Sequence, residues 1–220
     1  MDIQSRPVIT YRWIVFLLAA GYTLYNLATR DYSFPGGPFR FLTIWALLLS
    51  FASASYMLAL SEKRRHGSYM VLAMCASVMN VMVVFLYWKL YFTDPALVQG
   101  SGALHPLQEY YLHVLGPALQ IIDALFIACA FRKPLRAIPW LLSLVAAYIL
   151  WIELFVQRFN THPPGNVTSG LPYPFLNNMD FPARAAFYGG YTGMALAILA
   201  VFAGIGWALQ KSTKSAKSAS

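Results

Sequence analysis

Charge is what this chain has least of. Its 16 basic and 8 acidic side chains make up 11% of 220 residues, while 59% are hydrophobic and 16% aromatic. A soluble domain carries about 25% charged residues, so a soluble protein of this size could not cover its surface from this supply. Disorder is excluded by the same figures, since it needs low hydrophobicity and high charge. Cysteine is nearly missing. Cys75 and Cys129 both fall inside apolar runs, which argues against a disulfide framework and against a cysteine–histidine zinc site. Histidine is scarce too: His66, His105 and His162 read as loop residues, so His113 has no second intramembrane histidine and bis-His haem ligation is disfavoured. The apolar runs are continuous rather than alternating, which removes a β-barrel. No internal repeat or heptad is present.

What remains is an integral membrane protein. Six apolar stretches can be read at Tyr11–Ala28, Phe39–Leu60, Tyr69–Phe92, Tyr110–Phe131, Leu135–Gln157 and Ala183–Leu209. One spanning helix takes about 20 residues, which leaves no room for a second, soluble domain. The expected fold is all-α: a bundle of six transmembrane helices forming one domain over residues 1–210, followed by a basic, flexible tail at 211–220. A signal peptide cut near Leu18-Ala19-Ala20-Gly21 is the competing reading of the first stretch. The run continues through Tyr22, Leu24, Tyr25 and Leu27, which suits a span better.

The net charge of +8 is placed by topology. Arg6 and Arg12 precede the first stretch, Lys63-Arg64-Arg65 and Arg132-Lys133 with Arg136 fill two connections, and Lys211, Lys214 and Lys217 follow the last stretch, so 11 of 16 basic residues share one side. The positive-inside rule then puts both termini in the cytoplasm and the long loops Thr93–Glu109 and Arg158–Pro182 outside. No nucleic-acid partner is needed; the partner is the bilayer. The membrane is the inner membrane in a bacterial host, and an endoplasmic reticulum, endomembrane or plasma membrane in a eukaryotic one. Trp13, Trp88, Tyr110, Tyr111, Trp140 and Trp207 suit interfacial anchoring. Asn166-Val167-Thr168 matches a glycosylation acceptor on the outward side.

Polar groups at membrane depth are costly and invite a functional reading. They are Asn26, Thr43, Asn80, Lys89, His113, Gln120, Asp123 and Glu153. Counted from the stretch ends at 1.5 Å per residue, Thr43 and Glu153 lie about 6 Å and His113 about 4.5 Å below the outer edge. Three residues distant in sequence thus share one layer. A threonine hydroxyl needs a base to become a nucleophile, and a histidine is suited to that task near neutral pH. A carboxylate could fix the imidazole tautomer, with Glu153 as the candidate by depth. Asp123, about 15 Å deeper than His113, cannot serve and is expected neutral or paired with Asn80 or Gln120. Lys89 is expected to snorkel outward. Each residue also has a bland reading: a helix threonine bonds its own i−4 carbonyl, a histidine near a span end is an interhelical hydrogen bonder, and Glu153 pairs with Lys89 or Arg158.

Several segments resemble the androgen-induced and androgen-dependent TFPI-regulating protein family of multi-pass membrane threonine hydrolases. Phe41-Leu42-Thr43 is similar to its Phe-Leu-Thr. His113 followed by Asp123 resembles its span-four pattern, with Asp in place of Glu. Tyr148-Ile149-Leu150-Trp151 is similar to its span-five signature. Tyr173-Pro174-Phe175-Leu176, then Pro182-Ala183-Arg184 and Phe187-Tyr188-Gly189, resembles its Tyr-Pro-Phe-Leu…Ala-Arg…Phe-Phe-Gly stretch. The resemblance runs in order from about residue 39 to 190. It implies cleavage of esters between a fatty acid and a hydroxy fatty acid, with Thr43 as nucleophile, His113 as base and no cofactor or metal. An ester midway along an acyl chain lies below the headgroups, where a nucleophile just under the interface would meet it. Arg184 is the candidate clamp for the fatty-acid carboxylate. Two other classes compete: a small transporter or channel whose polar path is lined by Asn80, Lys89, Gln120, Asp123 and Glu153, and a non-catalytic scaffold.

Overall fold

The structure, a computed structural model, describes residues 2–65, 70–99, 105–161 and 169–218, with the side chains of 99 and 213–218 left aside. His66, His162 and the Asn166-Val167-Thr168 acceptor lie outside the described residues. Among the described residues the chain is helical without strands. Six helices are long and apolar enough to cross a membrane: α1 (Arg6–Thr29), α2 (Leu42–Ser61), α3 (Met70–Thr93), α4 (Pro106–Ile127), α5 (Pro134–Phe159) and α6 (Phe181–Ser218). The stretch expected as a tail from residue 211 continues α6 as far as Ser218.

A helix that is apolar all round belongs at the centre of a bundle, and α3 is that helix. Residues 73–80 are buried without interruption, and α3 packs against α2, α4, α5 and α6. At the periphery, α5 exposes Trp140, Leu142, Leu150 and Leu154, an outer face suited to lipid.

The polar groups inside the bundle are paired off one by one. The deepest link corrects two expectations. Arg12 does not flank the first span; it sits inside α1, only 2% exposed. It holds Asp123 bidentately, Nε to Oδ2 at 2.9 Å and Nη2 to Oδ1 at 2.7 Å. Asp123 is therefore bound to neither Asn80 nor Gln120. The remaining guanidinium nitrogen of Arg12 donates to the Met57 carbonyl at 2.9 Å and to Ser61 Oγ at 2.8 Å. One arginine thus joins α1, α2 and α4. Asn80 donates to Ser50 Oγ at 2.7 Å, and Gln120 donates to Ser53 Oγ at 2.6 Å. These two amides act as α2–α3 and α2–α4 struts.

The opposite end of the bundle holds a second ion pair. Glu153 Oε1 accepts from Arg184 Nε at 3.0 Å and from the Tyr188 hydroxyl at 2.7 Å. With its amide turned, Gln157 donates to Glu153 Oε2 at 2.5 Å. The partner of Glu153 is thus neither Lys89 nor Arg158, and among the described residues no imidazole bonds the carboxylate. Arg184 is committed as well, because its Nη1 donates to the Met179 carbonyl at 2.9 Å. Lys89 reaches the Tyr191 hydroxyl of α6 at 3.3 Å. After α5 the chain tucks back under the bundle end: Leu171 and Leu176 are buried, and Asn177 bonds Leu171 at both its amide and its carbonyl.

Candidate functional site

Thr43 occupies the first turn of α2, immediately after a tight connection. Gly36 and Gly37 have φ of 80° and 47°, a left-handed region that favours glycine. A Cβ on Gly36 would also sit 2.9 Å from Val156 Cγ2. The turn is pinned by four side chains. Trp45 Nε1 and Trp151 Nε1 both donate to the Phe39 carbonyl, at 2.8 and 3.1 Å. The Tyr148 hydroxyl donates to the Arg40 carbonyl at 3.0 Å, and the Leu42 amide donates to the Tyr173 hydroxyl at 3.1 Å.

The position of Thr43 in its helix decides what its hydroxyl does. Thr29, Thr93 and Thr192 each bond the carbonyl four residues earlier, at 2.8, 2.8 and 2.7 Å, as helix threonines commonly do. Thr43 has no such acceptor, because it is the second residue of α2 and the chain before it, at Phe41, is extended (φ −99°, ψ 130°) rather than helical. Thr43 Oγ1 has no hydrogen bond among the described residues and lines a cavity of about 700 Å³.

His113 lines the same cavity. It stands on a stretch, Tyr111–Leu115, where α4 widens into π-helical turns, and the Gly116 amide reaches back five residues to Tyr111. The cause lies in Pro117, which has no amide to give the His113 carbonyl and whose ring crowds it. That carbonyl accepts from Trp88 Nε1 instead, at 3.1 Å. Such widened turns recur at functional sites. The His113 ring is 3% exposed and stacks on Tyr87, with centroids 3.5 Å apart and planes 7° apart. Nδ1 lies 3.1 Å from the Glu109 carbonyl. A carbonyl only accepts, so the proton is on Nδ1, and the Nε2 lone pair has no donor among the described residues. The tautomer expected from Glu153 is set by a backbone oxygen.

The expected common layer is looser than the stretch boundaries implied. Thr43 is one residue into α2. His113 lies seven residues into α4 and Glu153 six from the end of α5, about 10 and 9 Å along their helices. Glu153 does not line the cavity; nor do Asn80, Lys89, Asp123 and Arg184. The cavity walls are instead apolar side chains of α2, α3 and α5, such as Ile44, Met79, Met82, Val83 and Ile152, with Tyr148, Tyr173 and Tyr188 among them. At its rim stand Arg30, Asp31, Arg40 and Glu109. Burial lowers the pKa of both Arg30 and Arg40, whereas bonding to Ser33 lowers that of Asp31.

Arg40 and Glu109 were not among the polar residues singled out from the sequence, since nothing local marks them, and Trp88 was read as an interfacial anchor. Tyr148, Trp151 and Tyr173 did carry a signal, because they lie in the segments that resemble a known family. Those segments converge in space on the turn that feeds Thr43. No curated protein and no solved structure matches the chain. The family model described as FAR-17a/AIG1-like protein matches residues 7–206, nearly the whole bundle and every residue of the cavity. The chain belongs to the FAR-17a/AIG1-like family.

Proposed function

We propose that this protein is a membrane-embedded hydrolase of lipid esters, with Thr43 as nucleophile and His113 as general base. The observation that carries the reading is the pair of unengaged atoms on one cavity: a threonine hydroxyl at a helix start with no hydrogen bond among the described residues, and an imidazole nitrogen whose ring is fixed from the other side. His113 Nε2 takes the Thr43 proton as Oγ1 attacks the ester carbonyl, then gives it to the departing alkoxide. Water attacks the acyl-threonine with the same base, and a free acid leaves. At the start of α2 the Leu42 and Ile44 amides are taken by the Tyr173 hydroxyl and the Phe41 carbonyl, so the Thr43 amide is the donor left there for the oxyanion.

A cavity of about 700 Å³ with mainly apolar walls suits an acyl chain. The substrate class that fits is an ester placed along such a chain, as in fatty acid esters of hydroxy fatty acids. The cavity lies at the bundle end that the basic residues assign to the exterior. A transport path has less support: Asn80, Gln120, Asp123 and Glu153 are engaged pairwise with separate partners rather than lining a common route.

The test is release of free fatty acid by the purified full chain. Thr43→Ala and His113→Ala are each expected to cut release by about 10²–10⁴-fold in protein that still folds, while Thr43→Ser retains activity. Wild-type rates in either alanine variant would remove that residue from the mechanism.

A further inference from the structure

Each arginine buried inside the helices has its counter-charge: Arg12 holds Asp123 and Arg184 holds Glu153. Arg40 does not. Its guanidinium lies over the rings of Phe34 and Phe41, 4.4 and 4.8 Å from their centroids. Its side chain donates no hydrogen bond among the described residues, and its Nε is buried without a partner. A buried donor left unpaired is rare and costly in a folded protein, and a guanidinium presents a fork shaped for two oxygens.

Arg30 lines the same cavity and is close enough for its charge to oppose that of Arg40. Its Nε is held by Asn26 Oδ1 at 3.2 Å, and that oxygen is steadied by Gln108 at 2.8 Å. Two carboxylates stand on the same rim, and neither forms an ion pair with these arginines. Asp31 is exposed and accepts from the Ser33 amide at 2.8 Å; Glu109 lies against the Tyr87 hydroxyl.

We propose that Arg40, assisted by Arg30, is the anion subsite of the cavity and receives the free carboxylate of an acyl chain. Arg184, the clamp expected from the sequence, is taken by Glu153. Arg40 precedes Thr43 by three residues, so their Cα atoms lie within about 11 Å, and one lipid can touch both. The position of the ester in this picture rests on the hydrolase reading, but occupancy of the subsite does not.

The experiment measures binding without turnover. The full chain in nanodiscs is titrated with radiolabelled palmitate, and 1-hexadecanol and hexadecyl phosphate serve as competitors. Palmitate is expected to bind at least tenfold tighter than the alcohol. Arg40→Gln should bring palmitate down to the level of the alcohol while leaving the affinity for the alcohol unchanged. Equal binding of acid and alcohol by the wild type, or an undiminished preference in Arg40→Gln, overturns the proposal. Tenfold tighter binding of hexadecyl phosphate than of palmitate overturns the carboxylate assignment in favour of a lipid phosphate. Should Arg40→Gln lose the alcohol as well, the variant is misfolded and Arg30→Gln decides: at least a threefold loss of preference supports the subsite, and no loss sinks it. A protein that keeps the preference yet cleaves no ester separates this subsite from the hydrolase reading.

Discussion

At the scale of single residues, the turn before Thr43 is organised around one backbone oxygen. Phe39 offers its carbonyl to Trp45 and Trp151 at once, which fixes the turn that presents Thr43. Substituting both indoles, Trp45→Phe with Trp151→Phe, releases that turn. With hydrogen bonds of about 1 kcal/mol net each no longer holding it, ester cleavage should fall about fivefold. Either single variant keeps one indole on the carbonyl and should stay within twofold of wild type. Initial rates of the three variants, taken at equal folded concentration, check this; equal losses in the singles and the double would refute it. Thr43 and His113 were legible in the sequence because a hydroxyl and an imidazole stand out against apolar runs. The Phe39 carbonyl could not be, since backbone acceptors have no residue type to announce them.

At the scale of elements, α4 shows how one proline shapes a helix around a functional group. Pro117 removes the amide that His113 would need, the turns widen, and Trp88 of α3 fills the vacancy. Pro117→Ala restores the amide, so the helix can close and the imidazole rotates with its backbone. The expected outcome is at least a tenfold drop in kcat with unfolding temperature unchanged or raised, since proline inside a helix costs about 3 kcal/mol. Unaltered kcat would show that the wide turn has no part in placing His113. The existence of all six helices was readable from their length and apolarity. Their ends were not: Gly37–Arg40 forms a separate 3-10 turn where an α2 start at Phe39 was expected, and α4 begins at Pro106 rather than Tyr110. A glycine–proline turn and a loop with an apolar residue look alike at the edge of a hydrophobic run. Depth counted from such edges is off by about a turn.

At the scale of the whole molecule, the bundle separates the end that holds the Arg12–Asp123 pair from the end that holds the cavity. Arg12 and Asp123 tie three helices together far from the cavity. Removing one partner leaves a buried charge, so Arg12→Met should destabilise the protein by roughly 3–5 kcal/mol. Arg12→Met with Asp123→Leu should recover most of that loss and hydrolyse esters at the wild-type rate, as neither residue lines the cavity. Thermal unfolding in detergent and fatty-acid release measure the two claims, and a folded but inactive double variant would contradict the second. Both partners are visible in the sequence, but their pairing is not, because 111 residues separate them and only the packing of α1 on α4 brings them together. The cluster around Thr43 has a practical outcome as well. Two of the six tryptophans grip the strip of chain beside the cavity, so their emission should respond when a lipid enters. That emission, followed as lipid is added, would give an optical gauge of occupancy with no dye attached.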